Sequence, residues 1–192
     1  MRLLKIVIVM ISFTVSDGQI ALPTIQAVHK PHNASNGTPE NPLGDSGLIP
    51  SNINVGWNWM MGHTFTPQVN GSITQLGGYF NGTKTVRLWQ YSSGALLGSV
   101  SHTGSNNWTY TNLSSNVSVT AGTKYVVAVA LNGSGGAYRR DNTHPIGNTY
   151  GNIVIECNVL QSSYDSDVMP NWSQPCRTDY WFGISDITFI PD

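Results

Sequence analysis

The chain has 192 residues, of which 40% are hydrophobic and only 10% are charged, and nine Lys and Arg against ten Asp and Glu give a formal net charge of −1. This balance excludes nucleic-acid binding and binding to an anionic membrane surface, because the few basic residues are scattered and form no basic patch. The length is typical of one domain with a substantial hydrophobic core.

The N-terminus has the pattern of a secretory signal peptide. Two basic residues among the first five precede an uncharged apolar run at 6–15, and the small residues Ser16 and Gly18 suit the last positions before a cleavage site. The run is shorter than the roughly 20 residues needed to cross a bilayer. We therefore expect residues 1–18 to be removed and the protein to be secreted to the extracellular space without membrane insertion. An uncleaved anchor or a buried strand is the alternative.

Residues 19–50 contain five prolines and are rich in Asn, Ser, Gly and Thr, with no sustained hydrophobic period. This composition predicts a flexible leader, although the apolar piece at 20–28 could add as an edge strand to this domain or to a neighbouring molecule. Within the leader, Gly44-Asp45-Ser46-Gly47 mimics the nucleophile loop of trypsin-like proteases. A Ser nucleophile also needs a base and an orienting acid on a rigid scaffold, so we interpret this match as chance.

Short β-type runs follow from Thr64 to Leu131, separated by turns that contain glycine. The dipeptides Asn70-Gly71, Asn81-Gly82, Ser93-Gly94 and Ala121-Gly122 are tight-turn signals, because Gly accepts the positive φ that such turns require. They predict strands at residues 72–80, 85–91, 96–103, 108–113, 117–120 and 124–131. The last run is apolar on both faces, which predicts a central strand. The sequence thus indicates one antiparallel all-β domain over residues 51–192.

Six motifs in this region belong together: Gly62-His63-Thr64-Phe65-Thr66-Pro67, Val69-Asn70-Gly71-Ser72-Ile73, Gly78-Tyr79-Phe80, Val86-Arg87-Leu88-Trp89, Gly94-Ala95-Leu96-Leu97 and Val119-Thr120-Ala121-Gly122-Thr123-Lys124-Tyr125-Val126-Val127. Their order resembles the secreted sandwich family known as domain of unknown function 4082, over residues 56–139 with a weaker echo at 180–191. The resemblance implies an immunoglobulin-like β-sandwich of extracellular proteins and brings no catalytic residues. The chain departs from the family pattern between residues 140 and 179, so features particular to this protein are expected there.

Cys157 and Cys176 are the only two cysteines. An even pair in a chain with an export signal predicts one disulfide, which would close the loop 157–176. By chain entropy, closing such a loop contributes on the order of 3 kcal/mol. Free or metal-bound thiols are the alternative, but no paired-Cys spacing or His partner indicates a zinc site.

Asn-X-Ser/Thr sequons are unusually frequent. We count nine candidate N-glycosylation sites: Asn33, Asn36, Asn70, Asn81, Asn107, Asn112, Asn116, Asn132 and Asn171. Turn chemistry explains the four that lie in Asn-Gly pairs, which leaves five without that explanation. We expect Asn33, Asn107 and Asn171 to be among the occupied sites if the source cell glycosylates Asn.

Aromatic residues are the candidate glycan contacts. Trp57 and Trp59, and likewise Trp108 and Tyr110, are spaced i to i+2, which places each pair on one face of a strand. Exposed pairs would stack on sugar rings, whereas buried pairs would be ordinary core. We expect most of these residues and Trp89, which resembles the family's core position, to be buried. Trp172 in the predicted disulfide loop is the best candidate for an exposed tryptophan.

Catalytic and metal-binding patterns are sparse. No two carboxylates have a spacing typical of a glycosidase, and the five histidines lack metal-ligand spacing. Asp165 and Asp167 could offer oxygens to a calcium ion, but two acids fall short of six ligands, so solvated loop acids are the simpler interpretation. We predict no catalytic residues, no metal and no cofactor.

Two functional classes remain. We expect a secreted, non-catalytic structural or adhesive protein of an extracellular matrix, skeletal or surface assembly, whose partners are matrix or surface components, glycans among them. The alternative is a carbohydrate-binding, lectin-like module, which rests on analogy with other β-sandwiches. An enzyme is a distant third.

Overall fold

The structure is a computed structural model that describes residues 37–140, 147–162, 165–170 and 180–192. Nearly all regular structure in these residues is β. One short helix, α1, spans Pro42–Asp45. The strands are β1 (Asn52–Val55), β2 (Met60–Pro67), β3 (Gly71–Gln90), β4 (Leu96–Val119), β5 (Tyr125–Ala130), β6 (Gly136–Arg140), β7 (Thr149–Tyr150), β8 (Ile153–Gln161), β9 (Tyr180–Phe182) and β10 (Ser185–Pro191). The prediction of an antiparallel all-β fold is therefore confirmed.

The strands form two sheets, and within each sheet all neighbouring strands pair in antiparallel orientation. The small sheet has the order β1-β6-β9. The large sheet has the order β10-β3-β5-β2-β8-β7, with β4 paired to β3. We call these the small sheet and the large sheet throughout.

The long hairpin of β3 and β4 bends across both layers of a sandwich. The first half of β3 pairs with β10, and the second half pairs with β5. The register with β4 shifts between Phe80 and Asn81, where Asn106 of β4 has a φ of 56°. The two halves of β4 then face one another, since a Cβ added to Gly98 would lie 2.8 Å from Leu113 Cδ2. The large sheet thus folds over onto itself.

This bend corrects the predicted strand boundaries. Asn81-Gly82 reads as a hairpin turn in the sequence, but β3 runs through it without reversing. Gly82 does have a positive φ of 75°, and the chain uses it beside a register shift to bend the strand. Ser93-Gly94 and Ala121-Gly122 are turns as predicted, with Gly94 N donating to Gln90 O and Thr123 N to Thr120 O.

The main core fills the space between the layers, and β5 runs through the centre of the large sheet. All six residues of β5 are buried, between β3 on one side and β2 on the other. Val127 and Val129 face the main core, whereas Val126 and Ala128 face a second, smaller cluster. The prediction of a central strand is confirmed, and its two apolar faces serve two different clusters.

The second cluster lies on the outer face of the large sheet and consists of Met60, Trp89, Val126, Ala128 and Val159. Residues 165–170, which we call the outer cover, lie against it through Met169. Polar contacts fix this cover in place. Trp89 Nε1 donates to Asp167 O at 2.9 Å, and the Arg87 guanidinium pairs with Asp165 and Asp167 at 2.7 and 3.0 Å.

Residues 37–50 correct the predicted leader, because they form part of the folded domain. Leu43 and Leu48 are fully buried in the main core. Glu40 forms an antiparallel bridge with Phe189 of β10, and Gly37 N donates to Pro191 O. We call residues 37–50 the N-terminal cover. Apolar side chains spaced along a proline-rich segment have no period that a sequence pattern detects, and residues 19–36 lie outside the described residues.

A buried carboxylate anchors the N-terminal cover. Asp186 of β10 is fully buried, and its Oδ2 accepts hydrogen bonds from Leu43 N, Gly44 N and the Tyr110 hydroxyl at 3.1, 2.9 and 2.9 Å. Its Oδ1 has no hydrogen-bond partner within the described residues. Burial raises the pKa of Asp186 to about 7, against which the hydrogen bonds to the charged form act in the lowering direction. The pKa of Tyr110 is also raised, first by burial and then by the neighbouring Asp186.

Candidate functional site

The small sheet carries a group of aromatic side chains on one face. β6 and β9 pair so that Tyr138 lies opposite Phe182 and Arg140 lies opposite Tyr180. Successive side chains of a strand point to opposite faces, so Tyr180 and Phe182 share a face, and Trp181 between them points into the main core, where it is 2% exposed. Trp181 thus lies in the main core and Tyr180 on the other face, while Phe182, like Trp57, is partly buried and also packs against the main core.

The rings on this face contact one another. Trp57 stacks on Tyr138 with ring centroids 5.1 Å apart, and Tyr138 stacks on Tyr180 at 5.6 Å. Tyr180 stacks on Phe182 at 4.5 Å, and Phe182 meets Trp57 at 6.0 Å in a tilted arrangement. All four rings are half-buried. We call Trp57, Tyr138, Tyr180, Phe182 and the neighbouring Arg140 the aromatic face.

Arginines border the aromatic face. The exposed Arg140 guanidinium lies over the Tyr180 ring at 5.5 Å from its centroid, which is a cation–π contact. Arg139, on the opposite side of the strand, donates from Nη1 to Ile49 O at 2.7 Å and so fixes the end of the N-terminal cover beneath the sheet. Asn52 of β1 lies opposite Tyr138 in the register and is exposed.

This arrangement favours non-covalent recognition. Stacked rings expose apolar surface that can pack against a sugar ring, a proline or another aromatic side chain. A guanidinium beside them can bind a carboxylate or hydroxyl groups through directed donors. Within the part of the chain that the structure describes, no three His, Cys, Asp or Glu side chains come together in a group that could hold a metal ion.

Among the described residues, one of the aromatic side chains predicted from the sequence joins this face. Trp57 does, although it lies between β1 and β2 rather than in a strand, so the alternation argument does not apply to it. Trp59 is half-buried against the main core. Trp172 lies outside the described residues.

Trp108 and Tyr110 hold the N-terminal cover. Trp108 Nε1 donates to Leu48 O at 3.0 Å, and the Tyr110 hydroxyl donates to Asp186. Trp108 also packs edge-on against Tyr79, with centroids 5.8 Å apart. Trp89 is buried, as expected, and so is Trp181. The expectation that most of the other predicted aromatic residues are buried is wrong for the described ones, since Trp57, Trp59, Trp108 and Tyr110 are half-buried.

Tyr138, Tyr180 and Phe182 are the residues that the sequence reasoning missed. Tyr180 and Phe182 have the same i to i+2 spacing as the tryptophan pairs, so a search for every aromatic residue would have found them. Tyr138 is brought beside them only by the pairing of β6 with β9, which local sequence does not reveal.

The other candidate residues have clear surroundings. Asp165 and Asp167, proposed as calcium ligands or solvated acids, pair with Arg87. Ser46 of the protease-like motif donates from Oγ to Leu43 O at 2.6 Å, next to the end of α1. Cys157 lies in β8 opposite Thr64, and Cys176 lies outside the described residues, so the pairing of the two cysteines stays a prediction.

Six sequon asparagines fall within the described residues, and all six are exposed: Asn70, Asn81, Asn107, Asn112, Asn116 and Asn132. In four of them the side-chain oxygen accepts a hydrogen bond. Asn70 accepts from Ala121 N and Asn107 from Trp108 N, whereas Asn112 accepts from Gln75 Nε2 and Asn132 from Lys84 Nζ. The Asn81 amide differs, since its Nδ2 donates to Asn54 Oδ1 at 3.1 Å. Asn33, Asn36 and Asn171 lie outside the described residues.

The part of the chain that the structure describes contains no helix with the length and apolar character needed to span a membrane. Comparison with curated proteins gives no match. A family model described as Domain of unknown function (DUF4082) matches residues 50–182, which includes the segment between residues 140 and 179 that we expected to depart from the family pattern. The chain belongs to the DUF4082 family.

Proposed function

We propose that this chain is a secreted, non-catalytic structural or adhesive protein that makes its contacts through the aromatic face. The observation that carries the proposal is the position of Tyr138 and Tyr180, which stack on the other rings but are not part of the main core. Packing of the core does not explain Tyr138 and Tyr180 at these positions, because half-buried rings leave apolar surface in water.

The composition of the face supports a role in binding. Trp, Tyr and Arg are the residue types that most often carry binding energy in protein interfaces, and here they form one contiguous group. Their stacking on one another limits the side-chain entropy lost when a partner binds. The signal-like residues 1–18 support an extracellular setting, and the exposed sequons support a glycoprotein. The immunoglobulin-like form of the sandwich, implied by the resemblance, belongs to the same proposal.

The test compares adhesion of the full-length chain and two variants to immobilised extracellular-matrix preparations. Tyr138→Ala combined with Tyr180→Ala should reduce retention at least about tenfold, since each removed anchor is worth on the order of 1–2 kcal/mol. Tyr91→Ala is the matched control, because Tyr91 is 43% exposed on another part of the surface and also lies beneath a cation, Lys124, at 5.3 Å. Equal retention of all three proteins would contradict the proposal.

Mass spectrometry of the secreted chain should find Gln19 at its N-terminus.

Carbohydrate binding is the second candidate, and Arg140 favours it. A guanidinium stacked beside aromatic rings offers directed donors to sugar hydroxyls or carboxylates next to an apolar platform. Binding of the chain to a defined sugar on a glycan array, lost in Arg140→Ala and in the Tyr138→Ala and Tyr180→Ala variant but kept in Tyr91→Ala, would place carbohydrate binding above adhesion to proteins. Binding to matrix proteins with no signal on the array would do the reverse.

A further inference from the structure

β4 has one edge without a neighbour in the described residues. It is 24 residues long, and β3 is the strand that pairs with it. Because alternate backbone N–H and C=O groups of an edge strand point away from the sheet, a long edge is a template for another strand.

Within the described residues, the other sheet edges are covered or short, whereas no second strand pairs with β4. At β10, the N-terminal cover supplies the bridge between Glu40 and Phe189. At the opposite edge of the large sheet, β7 has two residues, and the edge strands β1 and β9 of the small sheet have four and three. Short edges and covering segments are common means of avoiding strand addition.

The sequence of β4 lacks the other usual protections. Residues 96–119 contain no Lys, Arg, Asp, Glu or Pro. Register shifts interrupt the pairing of β4 with β3 before Gly98, after Ser105 and again beyond Asn112, but residues 98–105 pair with β3 without interruption. The first half of β4 is therefore a regular, uncharged edge of eight residues. Such an edge favours the addition of another strand.

The side chains of this stretch suit pairing with an identical stretch. Ser99, Ser101, Thr103 and Ser105 are exposed and share one face, whereas Val100 and His102 point into the protein. An antiparallel pairing centred on His102 places Ser99 opposite Ser105 and Ser101 opposite Thr103. Hydroxyls already pair in this way within the sheet, since Thr83 Oγ1 and Thr103 Oγ1 lie 2.8 Å apart. A second copy thus meets matching hydroxyls and no like charge.

The centre of this stretch is firmly held. The His102 ring bonds to Thr111 Oγ1 at 2.8 Å and to Thr109 Oγ1 at 2.9 Å, and it packs edge-on against Phe80. These contacts join the two halves of β4 across the bend at Asn106. The three sequons of β4, at Asn107, Asn112 and Asn116, all lie beyond that bend, whereas the sequon residue Asn81 of β3 pairs with Ser105 at the end of the stretch.

We propose that residues 98–105 of β4 form a self-association edge through which two copies of this chain pair as a symmetric antiparallel dimer. The dimer joins two large sheets into one continuous sheet. This surface is separate from the aromatic face, so a dimer presents two aromatic faces to a matrix and gains avidity if both engage.

The first test is the concentration dependence of molecular mass of the full-length chain, measured by sedimentation and light scattering. We expect a monomer–dimer equilibrium, and Ser99→Lys combined with Ser101→Lys should raise its dissociation constant at least about tenfold by placing four positive charges across the axis. Ser115→Lys combined with Thr120→Lys is the control, because it adds the same charge at exposed positions outside the regular stretch. Equal thermal midpoints of both variants show that folding is intact.

The second test reports the register. Ser101→Cys combined with Thr103→Cys should give a covalent dimer under mild oxidation on a non-reducing gel, whereas Ser115→Cys should not. A chain that stays monomeric at high concentration, or a dimer unaffected by the two lysines at 99 and 101, would overturn the proposal. The variant Tyr138→Ala with Tyr180→Ala should leave the dimer intact, so loss of adhesion and loss of dimerisation are distinguishable.

Discussion

Two covers complete this domain, and they are anchored in opposite ways. The N-terminal cover, residues 37–50, is held by the buried acid Asp186, whose carboxylate accepts from backbone N–H groups and a hydroxyl. The outer cover, residues 165–170, is held by the buried base Arg87, whose partners Asp165 and Asp167 have side chains 55% and 76% exposed. The first anchor is a single charge out of water, and the second is an ion pair with one half in water.

The two covers therefore respond to different solution conditions. A lone buried carboxylate is costly when charged, so its pKa rises and pH controls it. An ion pair with exposed acids is screened by solvent and salt, so ionic strength controls it and its contribution is small. The N-terminal cover also contributes two fully buried leucines to the main core, whereas the outer cover contributes the partly buried Met169 to the second cluster.

The largest effect on stability should come from truncating the buried leucines of the N-terminal cover. Leu43→Ala and Leu48→Ala should each lower the free energy of unfolding by about 2–5 kcal/mol, because each leaves a cavity in the main core. Met169→Ala is the comparison, and it should cost less because that side chain is only partly buried. Urea unfolding of the three variants measures the order, and an equal cost at Leu43 and Met169 would break the distinction between the covers.

The next effect concerns pH at Asp186. Its pKa of about 7 in the folded protein lies above the ordinary value of 3.8 for an aspartate, so its contribution to stability is full below about pH 4 and is lost as pH rises through 7. The stability of Asp186→Asn relative to the wild type should therefore rise with pH, by on the order of 4 kcal/mol between pH 4 and 8.

The difference in stability between the wild type and Asp186→Asn separates the titration of Asp186 from that of His63. Burial lowers the pKa of His63 to about 3, so His63 makes both proteins lose stability as pH falls below 6.5, in the opposite direction to Asp186. Denaturant melts of both proteins across this pH range provide the measurement. A difference that does not change with pH would show that Asp186 is not the titrating anchor.

Reduction of the predicted disulfide should have an intermediate effect on stability. If Cys157 and Cys176 are bridged, reduction should release the loop that contains the outer cover, at a cost on the order of 3 kcal/mol. The main core lies elsewhere, so the domain should stay folded while Trp89 becomes accessible to a fluorescence quencher. Peptide mapping without reductant identifies the bridge, and two free thiols or collapse of the whole fold would contradict this prediction.

The smallest effect should be that of salt on the outer cover. Asp165→Asn combined with Asp167→Asn should lower stability by about 1 kcal/mol, since both carboxylates are largely exposed. Raising the salt concentration should weaken the wild type by a similar amount and leave the variant nearly unchanged. Arg87→Met should cost no more than the double variant, because it removes the guanidinium together with its unpartnered Nη1. A larger loss in Arg87→Met would show that the guanidinium stabilises the cover by packing.

Sequence by itself determined the class of fold and its central strand. Alternating and continuous apolar runs, punctuated by glycine, predicted the antiparallel sheet, and the doubly apolar run at β5 predicted its position, because side-chain periodicity reports directly how many faces are buried. The motifs of residues 62–127 likewise indicated the family. The burial of Trp89 was likewise expected from its match to the family's core position.

Only the tertiary structure decided where the strands bend, what covers them and which rings meet. Gly82 has the positive φ of a turn, but whether the chain reverses or bends there depends on β10 and β5, which pair with successive halves of β3. Leu43 and Leu48 are core residues because side chains far along the chain hold their backbone: Asp186 accepts from Leu43 N, and Trp108 Nε1 donates to Leu48 O. Tyr138 and Tyr180 form one face because β6 pairs with β9. Each of these facts is a contact between residues far apart in the chain, and a local pattern carries no information about such contacts.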